Sequence, residues 1–201
     1  MEPEQIMPLL TILFTAAIAE NVVLYYFLGT CPLISISSDL KASFQMGVAV
    51  SLVMLITVAA NHVVFYALLR PLALEFLQLL FFILIIAAVT QLLEEFLDRF
   101  FPAVYGAFGI FLPLIAVNCA ILGVSMFAVL KEYNLMASLA YAAGSGAGWT
   151  LVICLMASIR RRIDMANISP YLGKTGITMI IAAIIAMAFS GLSEIFSREI
   201  F

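Results

Sequence analysis

Residues 42–69 read ASFQMGVAVSLVMLITVAANHVVFYALL, 28 consecutive positions without Asp, Glu, Lys or Arg. Wound as an α-helix, such a run rises about 42 Å, more than the roughly 30 Å hydrocarbon core of a bilayer. It shows little period-2 alternation, and a helix satisfies every backbone N–H and C=O within itself, so it reads as a spanning helix rather than a barrel strand.

Outward from it, similar runs cover 5–38 (interrupted only by Glu20), 76–93, 100–130, 133–159 and 175–193. The pattern predicts an all-α integral membrane protein with six transmembrane helices near 8–28, 43–69, 76–97, 105–130, 134–159 and 175–195. Composition agrees: 65% of the 201 residues are hydrophobic and 10% charged, where soluble domains run about 45–50% and about 25%. About six spans of roughly 20 residues use nearly all of that apolar content. A single membrane domain, 1–201, leaves no room for an extramembrane catalytic or dinucleotide-binding domain. Nine basic against twelve acidic residues (net −3) make no nucleic-acid surface, and three cysteines without a CxxC pair make no disulfide scaffold.

The opening Met1-Glu2-Pro3-Glu4 lacks a basic n-region, so the first apolar run is expected to be a permanent span, and no lipidation motif is present. Connections after spans one, three and five carry Lys41, Arg99, Arg160, Arg161, Arg162 and Lys174, against Arg70, Lys131 and Arg198 elsewhere. Basic residues are retained on the cytoplasmic side, so both termini are expected outside a cytoplasmic (inner) membrane and the 160–174 loop inside.

Spans one and four are irregular. The first ends in Phe27-Leu28-Gly29-Thr30-Cys31-Pro32 and the fourth contains Gly109-Ile110-Phe111-Leu112-Pro113-Leu114-Ile115-Ala116-Val117-Asn118-Cys119. Proline disfavours helix at the residue before it, and interrupted helices at membrane depth line enclosed sites. Broken helices opening two consecutive three-span groups predict two inverted three-helix repeats, 1–103 and 104–201.

Cys31 and Cys119, one beside each break, are the sharpest chemical candidates. A thiolate selects iron–sulfur clusters, zinc or copper(I), whereas cysteine is also a common small buried hydrophobe. Placement beside helix breaks raises the ligand reading for these two, and a cluster, which needs four such ligands, would then require two from a second chain. Cys154 sits in an unbroken apolar run and is assigned to packing. Glu20, within span one beside Asn21, needs a partner or a proton; an ion site and an interhelical hydrogen bond to a neighbouring subunit both fit. His62 is the only histidine, so no multi-histidine site forms within the chain, and packing is its plainer role. Glu94 and Glu95, closing span three, read as a solvated boundary or a cation entry. Gly144-Ser145-Gly146-Ala147-Gly148 is a small-residue stretch suited to close helix packing.

The stretches Glu20-Asn21 to Phe27-Leu28-Gly29-Thr30-Cys31-Pro32, Gly109 to Ile115, and Asn118-Cys119-Ala120-Ile121-Leu122-Gly123 closely resemble one integral-membrane family. It comprises the A subunit of the Rnf complex and the homologous E subunit of the sodium-pumping NADH:quinone oxidoreductase, Nqr. The compact link Leu69-Arg70-Pro71-Leu72 looks more like the Rnf subunit. The resemblance implies pairing with a homologous subunit of opposite topology, the two sharing a [2Fe-2S] cluster held by two cysteines from each chain. Carried over, the ligands here are Cys31 and Cys119. Gly29, Pro32, Gly109, Pro113 and Gly123 would shape the half-helices, and Asn118 would hydrogen-bond a sulfur; Glu20 and Asn21 lie nearby in sequence. It further implies a subunit, not catalytic alone, of a ferredoxin:NAD oxidoreductase whose other subunits carry flavins and iron–sulfur centres and which moves Na+ or H+. The competing reading from the residues is a secondary transporter of inverted-repeat design, which has no need of the cysteines.

Overall fold

The computed structural model describes residues 3–37, 39–71, 75–100, 112–164 and 174–200, and among them there is helix and turn but no strand. The chain runs through α1 (Pro3–Phe14), a wide π-helical turn (Thr15–Ala19), α2 (Val22–Tyr26), α3 (Thr30–Ile36) and α4 (Leu40–Val64). A second π-helical turn (Phe65–Leu69) and a 3-10 turn (Glu75–Leu77) lead to α5 (Gln78–Phe100). Then follow α6 (Leu112–Ala116), α7 (Cys119–Leu130), α8 (Leu135–Asp164) and α9 (Lys174–Ile200). Among the described residues three stretches are long and apolar enough to cross a membrane: Leu40–Leu69, Gln78–Phe100 and Leu135–Ile163. Shorter apolar helices cover Leu9–Ala19, Leu114–Leu130 and Gly176–Gly191. The start of the expected fourth span, with Gly109, lies outside the described residues, as do Leu72 and most of the 160–174 loop.

The centre of the molecule is the antiparallel pair α4–α8, meshed through small residues. A Cβ on Gly47 would lie 2.4 Å from Thr150 Cγ2, and one on Gly146 would lie 2.8 Å from Ser51 Oγ. Ser51 and Thr150 hydroxyls meet at 3.1 Å. The opposite face of the same stretch takes α1: a Cβ on Gly144 would sit 2.3 Å from Leu13 O, and one on Gly148 2.5 Å from Ala17 O. Gly144 and Gly148 therefore hold α1 and its π-helical turn against α8 while Gly146 faces α4, so the small-residue stretch packs two neighbours at once. At the far end of α8, Arg160 Nη1 donates to Ile34 O at 2.9 Å and to Ser37 Oγ at 2.6 Å, satisfying the carbonyl end of α3.

The first span is interrupted twice. Asn21 (φ −61°, ψ 117°) caps α2, its Oδ1 accepting from Val23 N at 3.1 Å while its Nδ2 donates to Ala17 O at 2.9 Å. Phe27 and Gly29 then take left-handed conformations (φ 54° and 79°), ending α2 and redirecting the chain into α3. The second broken helix turns at Val117, and Asn118 caps α7 by accepting from Ala120 N at 3.0 Å. The break at Phe27–Gly29 is not made by proline, and the expectation that Pro32 unseats the helix before it is corrected: Thr30 and Cys31 are helical. Pro32 is the third residue of α3, in a first turn whose N–H groups have no intrahelical acceptor, so the missing donor costs nothing there.

Candidate functional site

The backbone from Glu20 to Gly29 runs antiparallel to α7, and its two ends meet opposite ends of that helix. At one end the Gly29 N–H donates to Cys119 Sγ at 2.9 Å, joining residues 90 apart in sequence. The αL turn at Gly29 frees this N–H from helical bonding, and the missing side chain lets the turn seat closely. A Cβ there would lie 2.7 Å from Trp149 Nε1, 2.9 Å from Ala120 Cβ and 3.1 Å from Asn118 Oδ1. Farther along, Gly123 leaves room for Leu28, whose Cδ2 would stand 3.0 Å from an added Cβ. Cys31 lies in the first turn of α3 and is exposed, whereas Cys119 opens α7 and is half-buried. The structure thus brings together Gly29, Asn118 and Cys119, with Cys31 two residues beyond Gly29 on the same broken helix. Phe27 and Val117, at the two breaks, are 54% and 81% exposed, leaving apolar surface beside the cysteines.

At the other end Glu20 forms an ion pair with Lys131, the residue that closes α7. Sequence reasoning left its partner open; it lies in the same chain rather than a neighbouring subunit. The Lys131 ammonium also stands over the rings of Tyr141 (5.2 Å) and Tyr133 (5.9 Å), a cation–π arrangement. Burial alone would lower the Lys131 pKa, but the hydrogen bond and negative charge of Glu20 outweigh it and the pKa is raised. His62 Nε2 lies 3.1 Å from Tyr133 O with its ring against Tyr66, a packed and partnered side chain. At the end of α5, Glu94 is half-buried and Glu95 and Arg99 are exposed. Cys154 is half-buried and packed on the main core.

Two residues of this neighbourhood carried no chemical reading in the sequence. Trp149, 1% exposed, turns its indole nitrogen to the Gly29 turn. Lys131 ends an apolar run as its first cation, and the acid it would meet, Glu20, lies 111 positions away. Among the described residues no three His, Cys, Asp or Glu side chains gather as a metal-binding group.

Apolar helices of this length, two of them interrupted and packed so that the cysteine-bearing breaks adjoin, define a polytopic helical membrane protein. A family model described as Rnf-Nqr subunit, membrane protein, matches residues 9–196, and the chain belongs to that family. The chain is 45% identical over 191 residues to the E subunit of the Na(+)-translocating NADH-quinone reductase of Nitrosomonas europaea, covering 90% of this chain and 95% of the relative. The protein of the same name from Psychromonas ingrahamii is 45% identical over 186 residues (88% and 92%), and that from Hahella chejuensis 41% over 197 (92% and 97%).

Proposed function

We propose that this protein is the electron-relaying membrane subunit of a redox-driven, ion-translocating oxidoreductase. In this reading Cys31 and Cys119 supply two of the four thiolates of a [2Fe-2S] cluster, and a homologous subunit of opposite topology supplies the other two. The observation that carries the proposal is the Gly29 N–H on Cys119 Sγ, which joins the two cysteine-bearing breaks. Metal-bound sulfur gains from backbone N–H donors, and a site with one exposed and one half-buried cysteine suits ligands completed across an interface. Exposed Phe27 and Val117 offer the apolar surface such a partner would cover.

The cluster, when bound, accepts and releases one electron. This chain's residues orient and shield: Gly29 N–H fixes the Cys119 sulfur, Asn118 holds the first turn of α7, and apolar side chains exclude water. In that low-dielectric setting a cation nearby stabilises added negative charge, which links electron arrival to ion uptake. The relatives' name favours Na+ as the ion and NADH and quinone as the redox partners, and the family resemblance implies flavin-bearing subunits that complete the complex. The compact link Leu69-Arg70-Pro71-Leu72 favours the Rnf variant, working between ferredoxin and NAD. Assay of the purified complex with each donor and acceptor pair decides between them. The architecture completing this reading is six spans as two inverted three-helix repeats in the cytoplasmic membrane.

The test is iron and labile-sulfide analysis with electron paramagnetic resonance on the complex. Cys31→Ser and Cys119→Ser are each expected to remove one [2Fe-2S] signal, with Cys154→Ser unaffected. Retention of every iron signal in the first two variants overturns the proposal.

A further inference from the structure

Around Gly29 the structure holds two buried donors without acceptors among the described residues. Asn118 is 3% exposed and Trp149 1%, and neither Asn118 Nδ2 nor Trp149 Nε1 has a hydrogen-bond partner there. Both side chains border the same turn: a Cβ on Gly29 would lie 2.7 Å from Trp149 Nε1 and 3.1 Å from Asn118 Oδ1. The third donor of the group, the Gly29 N–H, is spent on Cys119 Sγ. A buried unpaired N–H costs free energy that phenylalanine at 149 would avoid at similar volume. Two of them on side chains around the Gly29 turn, whose own N–H reaches Cys119 Sγ, mark a place built for an acceptor. The Asn118 carbonyl oxygen is already used by Ala120 N, so the amide is oriented with its NH2 as the free end.

We propose that Trp149 and Asn118 are positioning residues that aim N–H donors at the anionic sulfur carried at Cys119. A neutral thiol is a weak acceptor that one N–H satisfies, whereas sulfur bound to iron, like inorganic sulfide, carries negative charge and accepts several donors. The inference rests on the reading of Cys119 as a cluster ligand and adds what sets the potential there. Reduction places one more electron on the group, the donors stabilise the reduced form more than the oxidised, and removing a donor lowers the midpoint potential. The chain has a single tryptophan, so its role can be probed by one substitution.

The experiment is a redox titration of the assembled complex, following the Cys119-dependent electron paramagnetic resonance signal in wild type, Trp149→Phe, Trp149→His and Asn118→Ser. Trp149→Phe is expected to reduce the equilibrium constant for reduction about tenfold, which for one electron is about 59 mV downward. Trp149→His, which keeps a ring N–H, recovers at least half of that shift. Asn118→Ser keeps an oxygen to cap α7 but loses the NH2, and shifts the potential in the same direction. An intact signal with an unmoved potential in Trp149→Phe and Asn118→Ser overturns the inference, as does an equal shift in Trp149→Phe and Trp149→His, which would assign the effect to volume. A complex whose iron signals all survive Cys119→Ser overturns the cluster reading itself, a different result from an intact signal at an unchanged potential.

Discussion

Gly29 combines two demands that no other residue meets. Its φ of +79° lies where a Cβ is strained, and its surroundings leave no space for one, with Trp149 Nε1 2.7 Å and Ala120 Cβ 2.9 Å from the added carbon. Gly29→Ala is expected to destabilise the protein by about 2–3 kcal/mol, read as a lowered thermal unfolding midpoint of the complex, and to displace the N–H from Cys119. A variant with wild-type thermal behaviour would show that the turn is not held as described. This residue was legible in the sequence because glycine, cysteine and proline cluster against an apolar background. Trp149 was not, because an aromatic in a buried helix looks like ordinary packing until its ring nitrogen is located. Pro32 misled for a related reason: its effect depends on its position in the helix, and the first turn tolerates what the interior does not.

Among the helices, α8 shows how small residues set geometry. On Gly148 a Cβ would be driven against the Ala17 carbonyl oxygen at 2.5 Å, backbone that cannot swing aside, whereas on Gly191 of α9 it would meet nothing within 4 Å. Gly148→Ala is expected to lose about 1–3 kcal/mol by forcing α1 away from α8, and Gly191→Ala to gain up to about 1 kcal/mol from helix propensity. Thermal unfolding of the two variants side by side checks the contrast; equal effects would contradict the packing. The small-residue role was readable from composition, but its two faces, α1 on one side and α4 on the other, required the fold. The α2–α7 register is held at its far end by Glu20 and Lys131, with side chains about one-third exposed, so Lys131→Met is expected to cost about 1 kcal/mol or less. The pH sign follows from the lysine. Its pKa is raised in the folded state, so its contribution is complete below the ordinary value of 10.5 and fades only as pH rises through the higher folded value. The difference in unfolding midpoint between wild type and Lys131→Met should therefore hold constant from neutrality to about pH 10. A difference that closes by pH 8 would exclude the ion pair as its source.

For the molecule as a whole, the two ends of α8 are chemically unlike. Its start lies beside Lys131, Glu20 and His62, a mixed-charge cluster, while its finish carries Arg160, Arg161 and Arg162, with Arg160 bound to the end of α3 and the other two exposed. A 30-residue helix is about 45 Å long, enough to set these ends on opposite sides of a membrane. Retention of basic residues on the cytoplasmic side predicts the arginine end inside and the Lys131 turn outside. Cys119 begins α7, 12 residues long and closed by Lys131, which sets it roughly 18 Å along the helix from that turn. The orientation can be read with a membrane-impermeant maleimide on intact cells, comparing Asn134→Cys and Arg162→Cys, both at exposed positions, with the parent chain. Asn134→Cys is expected to react from outside and Arg162→Cys only after lysis. The reverse pattern would turn the molecule over and place the Glu20–Lys131 pair on the cytoplasmic face.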